Sequence, residues 1–92
     1  MIRMTTRPGK GGNDHAEAEW NGQIYRAKAG SATTALARQL VAAGCPEQPW
    51  ESYDEKRDRY QWGVSLHWWA TQEVTEKRVL CIREYTQREP AV

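Results

Sequence analysis

Residues 16–28 read AEAEWNGQIYRAK. Asn21-Gly22 stands between two alternating runs. This pair tolerates positive φ at both central positions of a type I′ turn, whose twist matches that of the strands it joins. The segment predicts a β-hairpin, and a two-residue loop fixes its register. Trp20 should oppose Gln23, Ala18 Tyr25 and Ala16 Ala27 on one side, with Glu17 opposite Arg26 on the other. Trp20 and Tyr25 therefore belong to the side that is buried.

Downstream, Gly30-Ser31 punctuates the chain, and Ser31 is a suitable N-cap for ATTALARQLVAA. Ala32, Ala35, Leu36, Leu40 and Ala43 fall at helical spacing, and Gly44 is placed to end the helix. Arg38 and Gln39 point away from that stripe or along its rim. Pro46 and Pro49 make CPEQP a stiff connector. Two further extended segments follow, Trp50 to Asp54 and Arg59 to Val64, around the charged turn Glu55-Lys56-Arg57-Asp58.

Residues 65–77, SLHWWATQEVTEK, fit two patterns. Leu66, Trp69, Ala70 and Val74 share a helix face, whereas Val64, Leu66, Trp68 and Ala70 alternate as in a strand. The polar tail breaks the alternation and favours a helix capped by Ser65. A last strand, Arg78 to Tyr85, carries the run Val79-Leu80-Cys81-Ile82, which suits a central position covered on both faces. Residues 87–92 read as a frayed end.

Upstream of the hairpin, Met1 to Asp14 places Arg3, Arg7 and Lys10 around Pro8-Gly9 and Gly11-Gly12, with little apolar surface to offset the entropy of ordering. Residues 1–14 read as a flexible basic arm. The resulting order, β-β-α-β-β-α-β over residues 15–86, predicts a single α+β domain with an antiparallel or mixed sheet and two helices on one face.

The chain has 92 residues, which allows one modest core and no second domain. Its formal net charge of +1 supplies no long-range field of the kind that draws a basic domain onto nucleic acid. No apolar run reaches the length of a membrane-spanning helix. Cys45 and Cys81, without a preceding leader-like segment, read as buried thiols of a cytoplasmic protein.

Neither His15 nor His67 has a local partner that would make it a catalytic base, and the acidic pairs Glu17/Glu19 and Asp54/Asp58 occur where solvation explains them. Cys45, Cys81, His15 and His67 lack the paired spacings of a zinc site, and the Gly-Lys segments lack the length of a phosphate loop. The expectation is a non-catalytic protein with no metal and no cofactor.

Binding residues are easier to nominate. Five Trp and no Phe exceed what so small a core can hold, and adjacent Trp68 and Trp69 cannot share one direction. Trp50, Tyr53, Tyr60, Trp62 and Trp68 are candidates for exposed rings. Arg26, Lys28, Arg38, Lys56, Arg57 and Arg59 are cations that could lie beside them, although acids interleave with nearly all. The partner-binding set singled out is Arg26, Lys28, Trp50, Arg57, Arg59, Trp62 and Trp68.

The run Tyr25-Arg26-Ala27-Lys28-Ala29-Gly30-Ser31, followed by Ala35-Leu36-Ala37-Arg38-Gln39-Leu40 and Gly44, resembles a pattern of small accessory proteins of phages and prophages, anti-CRISPR proteins among them. The resemblance spans residues 25–44 and implies a monomeric inhibitor in the host bacterial cytoplasm. Such a protein would occupy an RNA-guided surveillance complex, contact its protein or guide RNA, and block target DNA. The alternative from the residues themselves is a small regulator that binds RNA or single-stranded nucleic acid, with tryptophans as stacking platforms.

Overall fold

The computed structural model describes residues 1–71 and the backbone of 81–86. The Asn21-Gly22 turn forms as its residues require, with φ of 53° and 78°, and β2 (Asp14–Trp20) pairs with β3 (Gln23–Ala29) in the expected register. Ala16 and Ala18 are buried and Trp20 and Tyr25 pack against the core, while the Arg26 Nε–H donates to Glu17 Oε2 at 2.8 Å on the opposite side.

The N-terminal segment corrects the sequence reading. Ile2–Arg7 is not an arm but strand β1, central in a six-stranded sheet of order β3-β2-β1-β4-β5-β6. It runs antiparallel to β2 and parallel to β4 (Trp50–Asp54), with Ile2 beside Trp50 and Met4 beside Ser52. A strand bonded on both edges satisfies its backbone without many apolar side chains, and Ile2 and Met4, both buried, suffice to seat it. The loop into β2 holds a short 3-10 turn at Lys10–Gly12. There Gly9 is obligatory, because a Cβ would overlap the Asn13 carbonyl and touch the His15 ring.

From β2 onward the order is the expected one. Helix α1 (Ala32–Ala42) starts after Ser31, but the Ser31 hydroxyl pairs with the Thr34 hydroxyl at 2.8 Å and makes no capping bond to the backbone. That pairing lets Thr34 be buried, so the inward stripe is Ala32, Thr34, Leu36, Ala37 and Leu40, and Ala43 is exposed. Gly44, at φ 97°, ends the helix in a Schellman motif: Cys45 N–H reaches Leu40 O and Gly44 N–H reaches Val41 O, each at 3.0 Å.

β4 and β5 (Arg59–Gly63) form the second hairpin in the expected segments, and β6 (Cys81–Thr86) pairs with β5. β6 stands at the end of the strand order and not in its centre. Helix α2 (Leu66–Thr71) settles the ambiguity of that stretch as far as residue 71. Ser65 Oγ accepts the Trp68 N–H at 3.1 Å as its cap. Val74 and the rest of that tail, like the predicted frayed end at 87–92, lie outside the described residues.

Both helices pack on the same face of the sheet, over a core of Ile2, Met4, Ala16, Ala18, Leu36, Leu40, Trp50, Leu66 and Trp69. Trp50 is 0% exposed and stacks obliquely on Trp69, with ring centroids 4.5 Å apart. Arg38 is exposed and runs along the rim of the helix stripe, one of the two expected placements. Its Nε–H donates to Ala70 O at 2.7 Å and ties the end of α2 to α1.

Candidate binding face

Side chains alternate across a strand, so each inward residue of the sheet implies an outward neighbour. Among the described residues no helix covers the outward face. Its registers define three cross-strand rows. The first contains Glu19 on β2, Arg3 on β1, Glu51 on β4 and Trp62 on β5. The second contains Arg26, Glu17, Thr5, Tyr53 and Tyr60, with Tyr85 next in register on β6. The third contains Lys28, His15 and Arg7, followed on the β4 side by Glu55, whose N–H donates to Thr6 O at 2.9 Å.

Aromatic rings occupy one half of this face. Tyr53 and Tyr60 lie side by side, ring centroids 4.8 Å apart and planes inclined by 35°, and Trp62 follows on β5. All three are half-buried, so their rings are held by neighbours while an edge or face remains open to solvent. The Tyr53 hydroxyl donates to Asp58 Oδ1 at 2.9 Å, and that bond, with burial added, pushes the phenol above its usual range. Asp58 sits at φ 52° in the turn, so the same contact locks the hairpin tip beneath the tyrosine pair.

Charge varies along the face in the perpendicular direction. The first row holds Glu19 and Glu51 around Arg3, the second holds the Arg26–Glu17 ion pair, and the third holds Lys28 and Arg7 around His15. Between β1, β2 and β3 the surface dips into a shallow cleft of about 290 Å³, lined by Thr5, Arg7, His15, Glu17, Arg26 and Glu55 among others.

The structure divides the residues nominated from sequence. Arg26, Lys28 and Trp62 share the open face. Arg57 and Arg59 stand at the β4–β5 tip, where Arg57 Nη1 pairs with Asp54 Oδ2 at 3.0 Å. Trp68 is half-buried against the core in the helical layer, remote from the face in the fold. Trp50 is no anchor for a partner: it is enclosed between Gly63, Trp69 and the sheet, where only a glycine opposite leaves room for its indole.

Sequence reading missed Arg3, Thr5 and Arg7 as face residues, because they belonged to a segment read as an arm. The alternation Ile2-Arg3-Met4-Thr5 is the signal that would have found them.

A second cluster gathers Cys45, Glu47, Ser65 and His67. The Glu47 carboxylate accepts from the Ser65 hydroxyl, from the Gln48 N–H at 2.9 Å and from the His67 N–H at 3.2 Å. Burial opposes its charge, but these bonds outweigh it and hold the carboxyl below its usual range. His67 Nε2–H donates to the Cys45 carbonyl at 2.8 Å, which fixes the ring on a backbone acceptor. Burial pushes that thiol up and away from the thiolate. These contacts seat the start of α2 on the proline connector, which also binds through Leu66 N–H to Gln48 O at 2.9 Å.

Among the described residues no group of three or more His, Cys, Asp or Glu is placed to hold a metal ion, and no helix is long and apolar enough to cross a membrane. No family model, no curated protein and no solved structure matches the chain.

Proposed function

We infer that this protein is a non-catalytic binding protein whose open sheet face takes single-stranded nucleic acid. The observation that carries this reading is the Tyr53–Tyr60 ring pair beside Trp62, on the same face as Arg7, Arg26 and Lys28, which no helix among the described residues covers. Aromatic rings on an open sheet stack unpaired bases without regard to sequence, and cations at the margin take the phosphates. Rings already held by their strand neighbours lose little freedom on binding.

The direct experiment is fluorescence anisotropy of labelled single-stranded RNA and DNA with the full chain, against a duplex of the same sequence. Binding of the single strands, weakened by salt and by Tyr60→Ala or Trp62→Ala, is the expected result. No anisotropy change with either strand at low salt overturns it.

A second reading is the phage-type inhibitor, anti-CRISPR-like, that occupies a host surveillance complex and blocks target DNA engagement. The acids Glu17, Glu19 and Glu51 interleaved on the same face favour it, since they suit a mixed-charge protein surface better than a free polyanion. Under that reading, purified surveillance complex loses target-DNA binding when this protein is added, and free oligonucleotides bind weakly or not at all.

A further inference from the structure

The three rows of the open face differ in how their cations are compensated. Arg26 is engaged by Glu17, and Arg3 stands beside Glu51 in register. In the third row, His15 is opposite both Lys28 and Arg7. Neither cation has a carboxylate within ion-pair distance among the described residues. Adjacent strands are about 4.8 Å apart, so Lys28 and Arg7 rise roughly 10 Å from each other with the imidazole between them. Both side chains are exposed and long enough to close over His15.

We propose that Lys28, His15 and Arg7 form a phosphate subsite at one end of the open face, specific for a terminal phosphate of the bound strand. This deepens the nucleic-acid reading and rests on it. In this row alone two cations of the face stand in register with no carboxylate between them, so the site rewards one phosphate strongly and does not follow a backbone.

A terminal monoester carries up to two charges where an internal diester carries one, and it offers three free oxygens to the Arg7 fork, the Lys28 ammonium and the imidazole N–H. Thr5 lines the adjoining cleft with Arg7 and His15, and Glu17 and Glu55 line it as well. Glu55 closes the row beyond Arg7 and confines the anion to the span between Arg7 and Lys28. The neighbouring Thr5 register leads directly to Tyr53, so the first base of the strand falls on the tyrosine pair.

The test compares the full chain with its Arg7→Gln and Lys28→Gln variants, using short single-stranded RNAs that carry a 5′-phosphate, a 3′-phosphate or hydroxyls at both ends. Alongside these, inorganic phosphate is titrated while the His15 ring resonances are followed by NMR. One phosphorylated RNA should bind about tenfold tighter than the hydroxyl-ended one, and each variant should bring that ratio close to one, weakening the phosphorylated RNA far more than the hydroxyl-ended one. Arg3→Gln should keep the preference.

If all three RNAs bind alike and the variants weaken them equally, the subsite is overturned and stacking on the face stands. If no RNA binds but inorganic phosphate shifts His15, and does so no longer in Arg7→Gln, the phosphate site stands without the nucleic-acid reading. If neither occurs, both fall.

Discussion

Gly63→Ala should destabilise this domain out of proportion to the single methyl it adds. A Cβ at Gly63 would lie 2.5, 2.6 and 2.9 Å from three atoms of the Trp50 indole, closer than nonbonded carbons approach. The two residues face each other in register across β4 and β5, and the indole cannot retreat, because Trp69 packs on it at 4.5 Å and it has no exposed surface. Overpacking a filled core costs about 1–3 kcal/mol. The entropy removed from the unfolded chain by replacing glycine returns about 0.5 kcal/mol.

A net loss of about 1.5 kcal/mol is expected, equivalent to a fall of roughly 9 °C in Tm for a domain of this size. Urea unfolding followed by tryptophan fluorescence measures it, with the m-value unchanged. Trp50→Phe removes part of the obstructing ring, along with a buried indole N–H that has no acceptor among the described residues. The double variant should therefore be less damaged than the sum of the singles, by about 1 kcal/mol or more. A Gly63→Ala protein within about 0.5 kcal/mol of the parent, or strict additivity in the cycle, would refute the argument that Gly63 exists to admit Trp50.

Met4→Ala should cost about 2–4 kcal/mol in the same assay because Met4 is buried in a central strand, whereas the same change in a free arm would cost nothing. Arg26→Ala should change stability by less than about 1 kcal/mol, since both partners of the Arg26–Glu17 pair are largely exposed. Glu47 has a carboxyl pKa depressed in the folded state, so its contribution is present above its unfolded value, near pH 4.3, and is lost as pH falls through the lower folded value. Glu47→Gln should accordingly flatten the acid limb of a Tm-versus-pH profile and leave its neutral-to-basic limb parallel to the parent. Tyr60→Ala, if single strands bind, should weaken them by about 1–3 kcal/mol in anisotropy titrations while the helical layer keeps its far-UV signature.

What was legible in the sequence was local. Asn21-Gly22 dictated a hairpin register down to the Glu17–Arg26 pair, Gly44 stopped α1, and Ser65 capped α2, since each depends on residues within a few positions of one another. What was not legible depends on distant pairings. Trp50 read as an exposed anchor because its burial is decided by Gly63 and Trp69 across the sheet and helix, neither of which marks position 50 in sequence. β1 was missed although β2 follows it closely, because its alternation rests on only two apolar residues, Ile2 and Met4, and because its other partner, β4, lies about half the chain away with Ile2 beside Trp50.

The displacement of β1 from arm to sheet centre also changes the chemistry of the candidate site. As an arm, residues 1–14 would bring Arg3 and Arg7 to an anion only after losing the conformational freedom of the whole segment, at roughly 1–2 kcal/mol of backbone entropy per residue. In the sheet that ordering belongs to folding, offset by hydrogen bonds on both edges and by Ile2 and Met4 in the core. The same strand joins the β2–β3 hairpin to the β4–β5 hairpin, so without it the cations Arg26 and Lys28 and the rings Tyr53, Tyr60 and Trp62 would stand on separate ribbons. β1 thus fixes the distance between the cationic and aromatic halves of the face. A change that loosens it should lower stability and binding together, while changes at Arg7 or Tyr60 should separate the two.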